Sequence, residues 1–135
     1  MITKIQADRQ KAESLRKMAR MTLERLDKTP KEEYPGNTLV DYYDAIHKLM
    51  EAITLSEGIK IRGEGAHQEL IDYVAKTKRL DEHTRQFVQQ LRDYRNRISY
   101  EGFTINNNFI AQSEKKIKEV IESLFGLLKE SLEGK

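Results

Sequence analysis

Leu91-Arg92-Asp93-Tyr94-Arg95-Asn96-Arg97-Ile98-Ser99-Tyr100-Glu101-Gly102-Phe103 is a basic helical pattern that runs into a glycine turn. Leu91, Tyr94 and Ile98 keep the three-and-four spacing of one apolar helix face, and Gly102 is suited to a left-handed helix stop. Upstream, Val88, Phe87 and Thr84 continue the stripe back to Asp81, a natural cap, so the spacing predicts a helix between Asp81 and Gly102. At about 100° per residue, Arg85, Arg92 and Ser99 form a ridge beside that stripe, with Arg95 between the ridge and the core. From Lys76 to Arg97 there are seven basic residues (Lys76, Lys78, Arg79, Arg85, Arg92, Arg95, Arg97) against three acids (Asp81, Glu82, Asp93). Burying unpaired guanidinium groups is costly, so this ridge should face water or an anionic partner.

The rest of the chain reads as helical support for this segment. Ile5, Leu15, Met18, Met21 and Leu26 predict a first helix over 3–27, with the polar residues 1–12 expected to fray or to reach a partner chain. Pro30 and Pro35 mark 28–37 as a loop. Thr38 with Asp41 resembles a capping box, so a central core helix should begin there and carry Leu39, Tyr42, Tyr43, Ile46, Leu49, Met50 and Ile53 inward before Gly58 stops it. Residues 59–65 read as a glycine-containing loop. A short helix follows from Ala66 to Ala75 or Lys78, with Leu70, Ile71 and Val74 inside. Asn106 to Asn108 form a turn before a final amphipathic helix, starting at Phe109 or Ser113 and ending near Leu132. The fold class is therefore an all-α, up-and-down bundle of about five helices in one domain, 1–135.

Arg95-Asn96, then three residues, then Tyr100 resembles the Arg-polar-x-x-x-His motif of the HEPN superfamily. The upstream stretches Tyr42-Tyr43-Asp44-Ala45-Ile46 and Gly63-Glu64-Gly65-Ala66-His67 strengthen the likeness, which spans residues 38–132. The resemblance implies a HEPN-like helical bundle that dimerises through the motif helix. It further implies nucleic-acid or nucleotide binding, and a separately encoded minimal nucleotidyltransferase as partner in a toxin-antitoxin-like system. Many HEPN proteins are metal-independent ribonucleases. On that reading Arg95 would stabilise charge on a phosphate, Asn96 would orient an oxygen, and Tyr100 would replace the histidine while the RNA 2′-hydroxyl attacks directly. Tyrosine, with an ordinary pKa of about 10, is a poor base at neutral pH, so binding ranks ahead of cleavage. The nucleic-acid-binding candidates are Arg85, Arg92, Arg95, Arg97 and Ser99. On an unbroken helix Arg95 and Tyr100 diverge by about 140°, which predicts either a fold-back at Gly102 or a site shared across a homodimer axis.

Composition bounds these readings. The net charge of +2 on 135 residues is too small to make the whole surface a nucleic-acid binder, so only the local ridge argues for one. The absence of cysteine excludes thiolate metal sites and thiol nucleophiles, and no metal or cofactor is expected. His47, His67 and His83 fall on different elements without ligand spacing and read as surface or helix-end residues. No apolar run reaches the roughly 20 residues of a membrane span, so a cytoplasmic protein without membrane association is expected. A purely structural dimerisation module remains the third class, in which the arginines are a solvated helix end complementing the helix dipole.

Overall fold

The computed structural model describes residues 1–78 and 80–134. Among these residues it is an all-α bundle of five helices: α1 (Arg9–Asp27), α2 (Pro35–Ser56), α3 (Ala66–Thr77), α4 (Glu82–Glu101) and α5 (Asn107–Glu133). Helices α1, α4 and α5 all pack on α2, and α3 leans on α4 and α2. The apolar spacing of α2 explains its central place. Leu39, Tyr42, Tyr43, Ile46, Leu49, Met50 and Ile53 are all buried, and from Ala52 to Ser56 no residue reaches solvent. A helix segment buried on every side, as residues 52–56 are, must be enclosed there by its neighbours. Tyr42 satisfies its buried hydroxyl by donating to Glu114 Oε2 at 2.9 Å, which ties α2 to α5.

Three local expectations are overturned. Residues 2–4 are not the start of α1 and do not fray; they form a strand, β1 (Ile2–Lys4), antiparallel to β2 (Ile59–Ile61) with Ile2 opposite Ile61 and Lys4 opposite Ile59. β2 in turn replaces the first three residues of the loop predicted at 59–65, while 62–65 keep the expected glycine turn, with Gly63 and Gly65 at positive φ. Both segments carry β-branched isoleucines, but the pairing joins distant parts of the chain, so a periodicity read along one window cannot find it. Asp8 then caps α1 by accepting from the Lys11 amide at 3.0 Å. The central helix begins at Pro35 and not at Thr38. Proline's fixed φ and missing N–H suit the first helical position, and a 3-10 turn over Lys31–Glu33 leads into it. Thr38 Oγ1 instead donates to the Lys31 carbonyl, and Asp41 pairs with Arg25 at 3.0 Å.

The helix ends around the basic segment follow the sequence closely. Asp81 caps α4 by accepting from the Thr84 amide at 2.7 Å, and Gly102 ends it at φ 69° with its N–H on the Arg97 carbonyl. Asn106 caps α5 by accepting from the Phe109 amide at 3.1 Å, so that helix starts at Asn107, two residues before the earlier of its predicted starts, and takes in Asn107 and Asn108 from the expected turn. Arg79, counted in the basic excess, lies outside the described residues. No helix among them is long and apolar enough to cross a membrane.

Gly58 fixes how the N-terminal segment docks. Its φ is +79°, and a Cβ there would stand 2.7 Å from the Ile5 carbonyl oxygen, while the Ile5 amide donates to the Gly58 carbonyl at 2.8 Å. Gly58→Ala therefore combines left-handed strain with a backbone clash. It should lower stability by about 1–3 kcal/mol, read as a lower urea midpoint. An unchanged midpoint would contradict the tight approach.

Candidate functional site

Asp44, His47 and Glu51 of α2 recur on one side of the helix, and α3 and α4 bring polar residues to that side. Asp44 and His47 are three residues apart on α2 and share a face with Tyr43 at their edge. Helix α4 brings Arg92 and Arg95 to that face. The turn before α3, with Gly63 and Gly65 both at positive φ, sets His67 in the first turn of α3 against the same place. His47 and His67 stack with ring centroids 4.1 Å apart and planes 15° from parallel. Tyr43 Oη and His67 Nδ1 share a hydrogen bond of 3.2 Å, and Tyr43 lies about equally far from both rings, at 6.2 and 6.1 Å.

Two arginines in this corner are poorly compensated. Their side chains are only 23% and 22% exposed for Arg92 and Arg95, so both are largely desolvated. Yet the Nε atoms of both are sealed from solvent without a hydrogen-bond acceptor. Their nearest carboxylates are distant for ion pairs: Asp93 stands 3.9 Å from Arg92, and Asp44 stands 4.0 Å from Arg95. Arg95 gains one further acceptor, donating from Nη1 to Asn96 Oδ1 at 3.2 Å. Held this way, the charges cost the fold stability that its own contacts do not return.

The field of these arginines is felt by their neighbours. Burial pushes His47 down to about 4, with His67, Lys48 and Arg95 adding to the depression. His67 is lowered by burial and then by Arg95 and Arg92, against weaker opposition from Asp44 and Glu51. Burial raises Tyr43 to about 12, although both arginines pull it the other way. At neutral pH the corner thus holds two neutral imidazoles, a protonated phenol and two guanidinium ions, with the Asp44 carboxylate beside Arg95 offsetting part of their charge. Such a set offers N–H and O–H donors and fixed positive charge to an anion.

The residues singled out in the sequence are distributed unequally over this geometry. Arg92, Arg95 and Asn96 belong to the corner. Tyr100 stays within α4 and is 76% exposed, yet the Arg95 guanidinium carbon is 5.9 Å from its ring. The expectation that one continuous helix keeps these two apart is therefore corrected: the long arginine side chain spans the angular gap, with neither a fold-back nor a second chain. Arg97 is exposed and lies over the Phe103 ring at 3.9 Å, and Ser99 is exposed. Arg85 is committed elsewhere. Its guanidinium bonds Glu82 at 2.9 and 2.7 Å and Asp72 at 3.1 Å, which holds the Glu82 carboxyl down at about 2.

Tyr43, Asp44, His47 and His67 are the members that linear reading missed. His47 and His67 do sit on different elements, and His67 is at a helix end as expected, but the fold stacks the two rings and His47 lies mid-helix and largely buried. The available signal was the polar set Asp44, His47 and Glu51 recurring on one side of a helix that is otherwise apolar. His83, the third histidine, is apart from them, with Nδ1 2.8 Å from Lys116 Nζ. No protein-family model, curated protein or solved structure matches the chain.

Proposed function

We propose that the chain is a HEPN-like protein that binds a phosphate-bearing ligand, nucleic acid or nucleotide, in the corner formed by Arg92, Arg95 and His67. The observation that carries this reading is the pair of largely desolvated guanidinium groups whose closest carboxylates stand 3.9 and 4.0 Å away, so that their positive charge is weakly compensated within the protein. Such groups are matched by phosphate oxygens, which accept in the planar geometry that guanidinium presents. Contacts of this kind hold phosphate with little sequence preference and with strong dependence on salt. The proposal extends to a homodimer through α4 and to a minimal nucleotidyltransferase as partner, both on the strength of the motif resemblance. Retention of a single-stranded RNA oligonucleotide that falls steeply between low and moderate salt tests the binding claim. Salt-independent retention, or none, would favour the structural dimerisation module.

A second reading, metal-independent RNA cleavage, draws support from the histidine pair. The side chain that the motif lacks at Tyr100 is present nearby on other helices. His67, neutral and held by Tyr43, is better suited to accept a proton at neutral pH than Tyr100. Incubation with RNA in excess chelator separates the alternatives. Cleavage lost in Arg95→Met and His67→Gln but kept in Tyr100→Phe would make this an enzyme with a displaced histidine. Cleavage lost in Tyr100→Phe and kept in His67→Gln would give the role to the motif residue. No cleavage with RNA still bound leaves the binding protein.

A further inference from the structure

A second feature shares His47 and His67 with the arginine corner but is not lined by Arg92 or Arg95. A cleft of about 250 Å³ is walled by α2, β2 and α3, and His47 and His67 form part of its lining. Its apolar lining includes Leu55, Ile61 and Leu70, while Glu51, Lys60 and Arg62 bring charge to it. None of these three side chains makes an ion pair or hydrogen bond with another described residue. The cleft thus joins a carboxylate and two cations, none of them paired, to apolar side chains and imidazole rings.

Size and position restrict the occupant. The cleft is smaller than the roughly 300–1,000 Å³ of pockets that enclose a drug-sized ligand, so it suits one ring system and not a whole nucleotide. Asp44, which faces Arg95, and Glu51, which lines the cleft, are seven residues apart on α2, about 10 Å along its axis. His47 lies between them. A ligand with phosphate at one end and a flat ring at the other can therefore occupy both places at once.

We propose that this cleft is a ring subsite, taking a nucleobase whose N–H edge meets the Glu51 carboxylate while its phosphate rests on Arg92 and Arg95. The phosphate half of this assignment rests on the binding function proposed above; the ring half stands on the cleft alone. The outer face of the stacked imidazole pair offers a stacking surface, and a carboxylate acceptor favours a base edge with adjacent N–H donors, which guanine presents and adenine does not. Ala66 lines the cleft and carries no polar side chain, so a larger residue there fills the ring subsite; because it precedes His67 in α3, ribose 5-phosphate binding by the same variant serves as the control that the phosphate contacts are kept.

The test is calorimetric titration with guanosine monophosphate, adenosine monophosphate and ribose 5-phosphate, on wild type, Ala66→Phe and Glu51→Gln. Guanosine monophosphate should bind wild type at least about tenfold more tightly than ribose 5-phosphate, the usual scale of one base stack. Ala66→Phe should erase that advantage and leave ribose 5-phosphate unchanged, while Glu51→Gln should narrow the preference for guanine over adenine. Equal binding of guanosine monophosphate and ribose 5-phosphate by wild type would overturn the proposal, as would an advantage that survives Ala66→Phe. Should ribose 5-phosphate and inorganic phosphate both fail to bind, the arginine reading falls, and guanosine without phosphate then tests the cleft by itself. Shifts of the His47 and His67 ring resonances that Ala66→Phe abolishes would uphold the ring subsite; no shifts would end it. A guanosine-ended dinucleotide that binds more tightly than the mononucleotide assigns the ring to an RNA end, and equal binding assigns it to a free nucleotide.

Discussion

Arg95→Met should weaken RNA binding by about 10- to 100-fold, the scale of one lost charge-assisted hydrogen-bonding group, while leaving the protein as stable as wild type or slightly more so. The two halves of this expectation come from the same observation. In the free protein the Arg95 Nε donor is buried without an acceptor, and its closest carboxylate, on Asp44, is 4.0 Å away. Methionine keeps much of the aliphatic stem that packs on α2 and removes the ion that the fold compensates poorly. Loss of binding with no loss of stability marks a side chain held for a ligand. Arg92→Met should behave alike, and the double variant should bind no more than a salt-insensitive residue. The comparison requires oligonucleotide titrations and urea unfolding on the same preparations. A large stability loss with unchanged affinity would show that the arginines serve the fold.

Affinity for the same oligonucleotide should rise as the pH falls from 7.5 to 5.5, by about threefold to tenfold, and His67→Gln should flatten the rise. The reasoning follows the charges around the ring. His67 is flanked by Tyr43, Asp44, His47 and Glu51 from α2 and by Arg92 and Arg95 from α4, and both arginines disfavour its protonated form. A phosphate that neutralises the arginines removes that opposition, so binding takes up a proton and acid favours the complex. Phosphodiesters do not titrate in this range, which keeps the ligand's own charge constant. Fold stability should move the other way. His47 is held at about 4 in the folded chain against an ordinary value near 6.5, so the unfolded chain binds more protons between those values. That contribution is present in full above about pH 6.5 and is lost as the pH falls toward 4, a loss on the order of 2 kcal/mol by pH 5. Urea midpoints at pH 7 and pH 5 measure it, and His47→Gln should reduce the difference.

These expectations depend on a site that only partly shows in the linear sequence. Helix α4 was legible to the residue: its stripe, the Asp81 cap and the Gly102 stop each rest on local chemistry, and local chemistry decides them. The buried face of α2 was legible for the same reason. What a window of sequence cannot carry is contact between distant segments. The pairing of Ile2–Lys4 with Ile59–Ile61 is of that kind, and so is the stacking of His47 on His67 from two different helices. Pro35 misled for another reason. As punctuation it signals a loop, whereas at the first position of a helix it favours the helix, and its neighbours do not say which applies. Arg95 and Tyr100 were separated by counting angles at the helix axis, a rule that holds for short side chains and fails for one as long as arginine.

The measurement that bears most directly on the account is a titration of the three histidine ring resonances with a single-stranded RNA oligonucleotide at pH 6.5. His47 and His67 should shift together and saturably, His83 should remain still, and the shifts should vanish in the Arg92→Met/Arg95→Met protein. RNA that binds while all three histidines stay unperturbed, or that moves His83 alone, would contradict a phosphate site at the arginine and histidine corner.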